Sequence, residues 1–416
     1  MIDDLIAQRV QEGEGLDFKK KLPLQKELAS SDFPKDVAAF ANASGGTLVY
    51  GVDETDRVAT NRVSLGEISE SYERTLRQVA VSSIHPPVFG LDVTTVGTSD
   101  DCALVVTIPP SLERPHMVYR GEYFGAPVRN HADTVWMRER QIEQMYRSRF
   151  ESRRQADDAI DQLYQETVLG RSIHEHAWLV MVAVPRLPRA GTPIEKSAIQ
   201  TISESARHIF PDVRKATKFL NSAPRPHPLN WVDHENPRRG MRRWVLRNAR
   251  RPEHDRRLEA WIAVLDNGPL TLAMSIGSHD RPYTRGIIAP GHEVYGRTVE
   301  CIVAEFVALL AELSRVTGPH GEYDLLLGIE WAGPKPLVFA TFDSEAFRDI
   351  TDSLPLPRFT RVRASLRPDG PDDDLRQQVC AIALDVVNQG GVQNLELLSP
   401  SGPLGRKLNN SRWVWG

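Results

Sequence analysis

Three acidic side chains near the N-terminus, Glu12, Asp17 and Asp53, have types and spacing suited to joint chemistry. Glu12 lies at the end of a first helical stretch. Asp17 enters the short run Leu16-Asp17-Phe18-Lys19, and Asp53 sits where the apolar run Thr47–Val52 passes into a turn. If these two runs are neighbouring strands, the three carboxylates gather at one edge of a sheet. Carboxylate oxygens are hard ligands for Mg²⁺ or Mn²⁺, ions that keep several waters and take substrate phosphates in their remaining positions. Such an ion activates a water and offsets the charge that builds on a phosphodiester. Lys19, Lys20 and Lys21 follow directly; strand alternation puts Lys19 and Lys21 on the face of Asp17 and Lys20 on the other. The chain holds 55 Asp and Glu, however, and residue type alone favours solvated surface or helix-capping charge for any three of them.

The elements that must position these groups are legible around them. A helix is expected over about 2–11, a strand over 16–19 and a second helix over about 32–43. Asp32 is the expected N-cap of that helix, Pro34 sits in its first turn, and Val37, Ala38, Phe40 and Ala41 form its apolar stripe. Asn42-Ala43-Ser44-Gly45-Gly46 ends it. Those glycines either let backbone approach a phosphate or simply close the helix and permit close packing. Further on come a helix over about 66–80, strands near 88–96 and 102–108, a β-rich stretch around 116–137 and a long polar helix over about 138–165.

Beyond Gly170 a second α+β region is expected. His176–Val184 reads as a strand and Ile194–Phe210 as an amphipathic helix. Strands fill about 241–276, with a strongly apolar helix over about 293–316 marked by Phe306, Leu309, Leu310 and Leu313. Strands at 323–331, 336–342 and 358–366 precede a last helix over about 372–388, whose first turn carries Asp372, Asp373 and Asp374 where the helix dipole favours acids. The Pro-rich segment Pro224–Pro228 reads as a loop or inner boundary. The expected division is 1–150, a connecting helix or linker over 151–172, and 173–416.

The 416-residue length fits two or three domains, and the composition, 41% hydrophobic and 25% charged, is that of a soluble globular protein. No run of eighteen apolar residues suggests a membrane span, and the N-terminus lacks the pattern of a secretory signal. Cys102, Cys301 and Cys380 are few and far apart, which fits a reducing cytoplasm. The histidines (among them His85, His174, His176, His292 and His320) show no metal-ligand spacing. Charge is unevenly spread: residues 1–150 carry 17 Lys and Arg against 22 Asp and Glu, whereas Arg207–Arg257 carries 14 against 5. A polyanion is drawn to the middle of the chain. That stretch interleaves arginine with Phe219, Trp231 and Trp244 and includes Arg238, Arg239, Arg242 and Arg243. It reads either as a surface for looped or single-stranded RNA or as a charged loop whose tryptophans are core anchors.

Several separated segments together resemble the Schlafen/AlbA-type domain. They are Glu12-x4-Asp17-Phe18-Lys19, then Asp36-Val37-Ala38-Ala39-Phe40-Ala41-Asn42 with Gly45-Gly46, and then the strand ending Gly51-Val52-Asp53. Ile108-Pro109-Pro110-Ser111 with Arg114-Pro115-His116 follows, and Gly125-Ala126-Pro127-Val128-Arg129 through Thr134-Val135 closes the series. The resemblance spans about residues 8–147; the remainder resembles no family we can name. It implies an α+β fold, an N-terminal mixed α/β domain followed by the second α+β region. It also implies that Glu12, Asp17 and Asp53 form a catalytic site holding Mg²⁺ or Mn²⁺, with Lys19 steadying the phosphate. The implied activity is a divalent-metal-dependent endoribonuclease acting on tRNA or similar structured RNA, such as a stress or antiphage defence effector in the cytoplasm.

Bacterial relatives described as DNA-binding, ATP-binding or transcription-regulating imply the alternatives: a non-catalytic nucleic-acid-binding regulator, or a nucleotide-binding module. No G-x-x-x-x-G-K-[ST] segment supports ATP binding through a P-loop. Lys21, Arg114, His116 and Arg129, together with Arg238, Arg239, Arg242, Arg243 and Trp244, are the candidate nucleic-acid contacts. RNA is the favoured partner over DNA. Animal Schlafens join two lobes where this chain shows one, which implies a homodimer. Asp17 stands where the family usually has Glu, and the turn after Asp53 brings Glu54 and Asp56 and lacks the usual glycine.

Overall fold

The computed structural model describes residues 2–98, 101–120, 123–189, 192–210, 213–214, 227–248, 259–277, 291–318, 321–343, 348–350, 354–400, 405–408 and 412–415. The chain divides into two units, Met1–Gln155 and Ala156–Gly416.

The first unit is built on a four-stranded sheet. After helix α1 (Ile2–Ala7) come β1 (Leu16–Lys19), helix α2 (Phe33–Asn42) and β2 (Gly46–Tyr50). The chain continues through β3 (Val52–Thr55), β4 (Val58–Arg62), helix α3 (Glu70–Ser82), β5 (Ile84–His85), β6 (Asp92–Thr98) and β7 (Asp101–Ile108). The sheet order is β1-β2-β7-β6, with β1 parallel to β2 and the others antiparallel. Period-two alternation gives the sheet two apolar faces. Leu48, Tyr50, Leu104, Val106 and Val93 meet Val37 and Phe40 of α2 and Leu76 of α3. Phe18, Val49 and Ala103 face the opposite way, with Ile2 of α1 and Val52 and Ala59 of the β3–β4 hairpin.

Helix α2 is buried nearly all round, Asp36 and Asn42 included. Asp32 occupies its N-cap position but makes no side-chain cap bond. The Ser31 hydroxyl accepts from the Phe33 N–H instead, at 3.2 Å, and Asp32 pairs with Lys35 at 3.1 Å. The structural reading of the glycines holds: the Gly45 N–H closes the helix on the Phe40 carbonyl at 2.9 Å with φ of +78°. A Cβ on Gly46 would stand 2.2 Å from the Phe40 ring, so only glycine lets strand and helix approach this closely. The run expected as one strand, Thr47–Val52, instead breaks at Gly51, leaving β2 and β3 in different sheets.

The rest of the unit is hairpins: β8 (Met117–Arg120) and β9 (Tyr123–Gly125) join β5 in the order β5-β8-β9, and β10 (Pro127–Asn130) pairs with β11 (Asp133–Trp136). Helix α4 (Glu139–Val168) follows, its residues shared between the two units.

The second unit is a seven-stranded antiparallel sheet with helices. Its elements begin with β12 (Trp178–Pro185), α5 (Lys196–Ala206), β13 (Arg238–Gly240), β14 (Arg243–Arg247), β15 (Ala260–Leu265) and β16 (Leu270–Ser275). They continue with β17 (Glu293–Tyr295), α6 (Gly296–Thr317), β18 (Tyr323–Glu330), β19 (Val338–Asp343), β20 (Arg348–Ile350), β21 (Val362–Leu366) and α7 (Asp372–Val387). The sheet runs β13-β14-β15-β16-β12-β18-β21. On one face Leu179, Met181, Leu272 and Leu327 pack with α5, α6 and α7. On the other, Trp178, Val180 and Leu326 meet Ile160 and Tyr164 of α4. The fold is α+β, as the sequence implies. The helix expected over about 293–316 begins later, because Glu293–Tyr295 pair as a strand with β19. Pro228 opens a short 3-10 turn, and 224–226 lie outside the described residues. Among the described residues no helix is long and apolar enough to cross a membrane.

Candidate functional site

Strand β1 is an edge strand, so one side of its backbone lacks a ladder partner. Glu12 supplies one: its Oε1 accepts from the Phe18 N–H at 2.7 Å. The carboxyl is half-buried there. Burial raises its pKa above the ordinary value, with Asp17 and Glu54 adding to the rise while the Phe18 N–H and Lys19 oppose it.

Asp17 and Lys19 share the face of β1 that looks toward α2, opposite to Phe18. Asp17 is only 4% exposed, and both its oxygens are engaged by cations. Arg129 Nη1 donates to Oδ1 at 3.1 Å, and Lys19 Nζ lies 2.6 Å from Oδ2. Lys19 also lies 3.7 Å from Asp36 Oδ2, and Lys35 is 3.7 Å from Asp36 Oδ1. Burial works to lower the Lys19 pKa, but Asp36 and Asp17 outweigh it and hold the ammonium above its ordinary value. Burial raises Asp36, against the pull of Lys19 and Lys35. The result is a cluster in which acids and bases alternate, buried at Asp17 and Asp36 and part-exposed at Lys19 and Lys35.

Arg129 completes that cluster from β10. Its Nη2 donates to the Gly13 carbonyl at 3.1 Å, its Nη1 also reaches the Thr134 hydroxyl at 3.3 Å, and its guanidinium lies 4.8 Å from the Phe40 ring centre. Expected as a phosphate contact, Arg129 is instead an interior residue, 5% exposed, with its donors turned inward.

Asp53 is held elsewhere. Lys20 points away from Lys19, as alternation requires, and its Nζ meets Asp53 Oδ2 at 2.7 Å. The β3–β4 pairing shifts register between Asp53 and Glu54, and the Glu54 charge acts on Glu12. Glu12, Asp17 and Asp53 therefore each have a separate partner: a backbone N–H, an Arg–Lys pair and Lys20. Among the described residues no group of three or more His, Cys, Asp or Glu side chains is arranged to hold a metal ion. In this arrangement the three carboxylates are each held by a partner within the chain and are not gathered around a common point.

The remaining N-terminal candidates fare differently. Lys21 lies past the end of β1, exposed, and so does not share the strand face of Asp17. Arg114, half-buried, donates to the Ala43 carbonyl at 3.3 Å. His116 is fully buried, with Nδ1 2.7 Å from the Pro86 carbonyl, and burial lowers its pKa. Sequence reasoning missed Asp36 and Asn42. Their signal was present: an acid and an amide inside the otherwise apolar run Phe33–Asn42, where polar side chains need partners.

In the second unit, β13 and β14 form a hairpin at the edge of the sheet. Arg238, Arg239 and Arg242 are exposed, and Met241 at its tip is 83% exposed. Arg243 is half-buried. Arg239 stacks over Trp244 at 5.2 Å and makes paired hydrogen bonds to Asp266, one at 2.8 Å. Trp244 packs on the core and donates from Nε1 to the Ile194 carbonyl at 2.7 Å, and Trp231 is buried. Both tryptophans are thus anchors, while Arg238, Arg242 and Arg243 have no ion-pair partner among the described residues. Phe219 and the basic residues within 215–226 and 249–258 lie outside the described residues.

The family model described as Schlafen, AlbA_2 matches residues 12–143. No curated protein matches the chain. Among solved structures the chain is similar to the N-terminal domain of a RecG-related protein from Nitrosomonas europaea. The identity is 20% and the TM-score 0.24, over 33% of this chain and 89% of that one. It is also similar to the DIP2311 protein from Corynebacterium diphtheriae, at 13% identity and a TM-score of 0.26, over 51% of this chain and 38% of that one.

Proposed function

We propose, starting from the Schlafen/AlbA_2 domain of residues 12–143, that this chain is a nucleic-acid-binding protein that acts without a bound divalent ion. A nucleic-acid-related function is what the family match supports. The single observation that carries the non-catalytic form is the Asp17–Arg129–Lys19–Asp36 cluster, with Asp17, Arg129 and Asp36 buried. The Asp17 oxygens that would serve as ligands are taken by Arg129 and Lys19, and breaking the buried Asp17–Arg129 pair is strongly unfavourable. The exposed arginines of the β13–β14 hairpin supply positive charge for phosphate. RNA is the preferred partner, with looped or single-stranded segments as the targets.

A metal-dependent endoribonuclease acting on tRNA is the second reading. It is favoured by the placement of Glu12, whose carboxyl feels both Asp17 and Glu54 across the edge of the sheet. The two readings separate in one experiment: purified protein incubated with tRNA, mRNA and single-stranded DNA, with Mn²⁺ or with EDTA. The binding reading expects salt-sensitive complexes and intact nucleic acid under every condition. Cleavage that needs Mn²⁺ and is lost in Asp53→Ala overturns it in favour of the nuclease.

A further inference from the structure

Register decides which arginines of the β13–β14 hairpin share a face. Arg238 pairs with Val245, Arg239 with Trp244 and Gly240 with Arg243. Trp244 and Leu246 turn toward the core that α5, α6 and α7 cover. Alternation therefore turns Arg243, Val245 and Arg247 to the opposite face, and the pairing brings Arg238 there with them. Arg239 goes the other way with Trp244. Arg243 and Arg247 flank Val245 along β14, so each is a diagonal neighbour of Arg238, about 7–8 Å away across the strands.

That face is open at this end of the sheet. On β15, Ile262 and Val264 are buried in the helix-covered core, while Ala263 and Leu265, opposite Val245 and Arg243, are only half-buried. Ile160 and Tyr164 of α4 pack farther along, against β12, Ala273 of β16 and Leu326 of β18. Arg238 and Arg247 are exposed and Arg243 is half-buried, and none of the three has an ion-pair partner among the described residues. The paired residues of this face on β13, β14 and β15 include no acid. Arg239, the neighbour that turns away, is the one that meets Asp266.

Unneutralised guanidinium groups held this close repel one another, and an anion that takes them up removes the repulsion. Guarding a sheet edge against self-pairing accounts for a charge on β13. It does not account for Arg243 and Arg247, which lie one strand in from the edge. All three are arginine, whose planar fork matches phosphate oxygens. The ring beside Arg247 on this face, Trp261, is half-buried and already stacked under Arg171 at 4.5 Å. Forks without a free ring suit the backbone of a nucleic acid rather than its bases.

We propose that Arg238, Arg243 and Arg247 form a phosphodiester-backbone site on the open face of the hairpin, one that holds nucleic acid without regard to base sequence. It rests on the nucleic-acid reading above and deepens it, assigning the contact to phosphates and to one face of the sheet. The full-length protein is titrated with fluorescein-labelled oligo-uridine and oligo-cytidine at several salt concentrations, with anisotropy as the readout. Wild type is expected to bind both with the same salt slope. Arg243→Ala and Arg247→Ala are each expected to weaken binding about fivefold at roughly 0.1 M salt and to flatten the log–log slope by about 0.7. Val245→Glu sets a carboxylate among the three arginines and is expected to weaken binding more than either. Arg358→Ala, at an exposed arginine ahead of β21 on the other edge of the sheet, serves as the control. Melting temperatures confirm that each variant is folded, and the two alanine variants decide the matter if Val245→Glu is not.

If wild type binds neither oligonucleotide, the functional reading fails and this site with it. If wild type binds and the folded alanine variants keep its affinity and salt slope, the site alone is overturned. It is equally overturned if poly-glutamate of matched charge displaces the oligonucleotide as readily as unlabelled oligo-uridine does, which would make the face a site for an acidic protein segment.

Discussion

Asn42 and His116 hold each other through two hydrogen bonds: Asn42 Oδ1 accepts from the His116 N–H at 2.7 Å, and Asn42 Nδ2 donates to the His116 carbonyl at 2.9 Å. The same Nδ2 donates to the Pro127 carbonyl at 2.7 Å. One buried amide at the end of α2 thus ties in the chain entering β8 and the start of β10. Asn42→Leu strands one backbone N–H and two carbonyls in the interior and is expected to cost at least about 3 kcal/mol. Urea denaturation with an unchanged m-value would record it; a loss below about 1 kcal/mol would show that the clamp is dispensable.

The burial of His116 gives the first unit a pH dependence whose sign follows from its lowered pKa. Burial holds its folded pKa below the ordinary 6.5, so as the pH falls the unfolded chain takes the proton first. Its contribution is present above that value and is lost as the pH drops below it. Unfolding free energies measured from pH 7 down to about pH 5 should therefore decline, and His116→Gln should flatten the decline. Equal slopes in both proteins would refute the assignment. Glu12 and Asp36 act in the opposite sense at lower pH. Both are raised from 4.5 and 3.8, so the folded state keeps its protons longer and stability falls as the pH rises through and above those values.

The Asp17–Arg129 pair is expected to behave as one unit. Arg129→Met leaves a buried carboxylate short of a cation and should cost about 3–5 kcal/mol. Asp17→Leu combined with Arg129→Met should recover most of that loss, because Lys19 and Asp36 still balance each other. Strict additivity of the two single changes would show that the pair is not coupled.

The β13–β14 hairpin separates two kinds of arginine. Arg238→Ala and Arg242→Ala should each reduce the salt slope of nucleic-acid binding by about one and leave the melting temperature unchanged. Arg239→Ala should lower the melting temperature instead, since Arg239 is spent on Asp266 and on the Trp244 ring. Unaltered salt slopes in the first two variants would remove the hairpin from the interface.

Much of this architecture was legible in the residues. The apolar stripe of Val37, Ala38, Phe40 and Ala41 located α2, and period two along Leu16–Lys19 placed Asp17 and Lys19 on one face. What periodicity does not encode is who waits on that face. Arg129 stands 112 residues from Asp17 in sequence, and Asp36 reads as an ordinary first-turn acid until the helix proves to be buried all round. A residue type that suits phosphate suits a buried carboxylate equally well. The division of the acids had the same origin: Gly51 turns the chain out of the sheet, and Asp53 meets Lys20 there.

The buried cluster also constrains how this sequence can change over time. A substitution that neutralises position 17 leaves Arg129 as a cation without a counter-charge in the interior, and the reverse change leaves a lone carboxylate. Neither single step is well tolerated, so the two positions must drift together through a compensating pair. Relatives that keep the acid at 17 should keep the arginine at 129. A lineage that lost the arginine would free that carboxylate for another cation, an ion from solvent included.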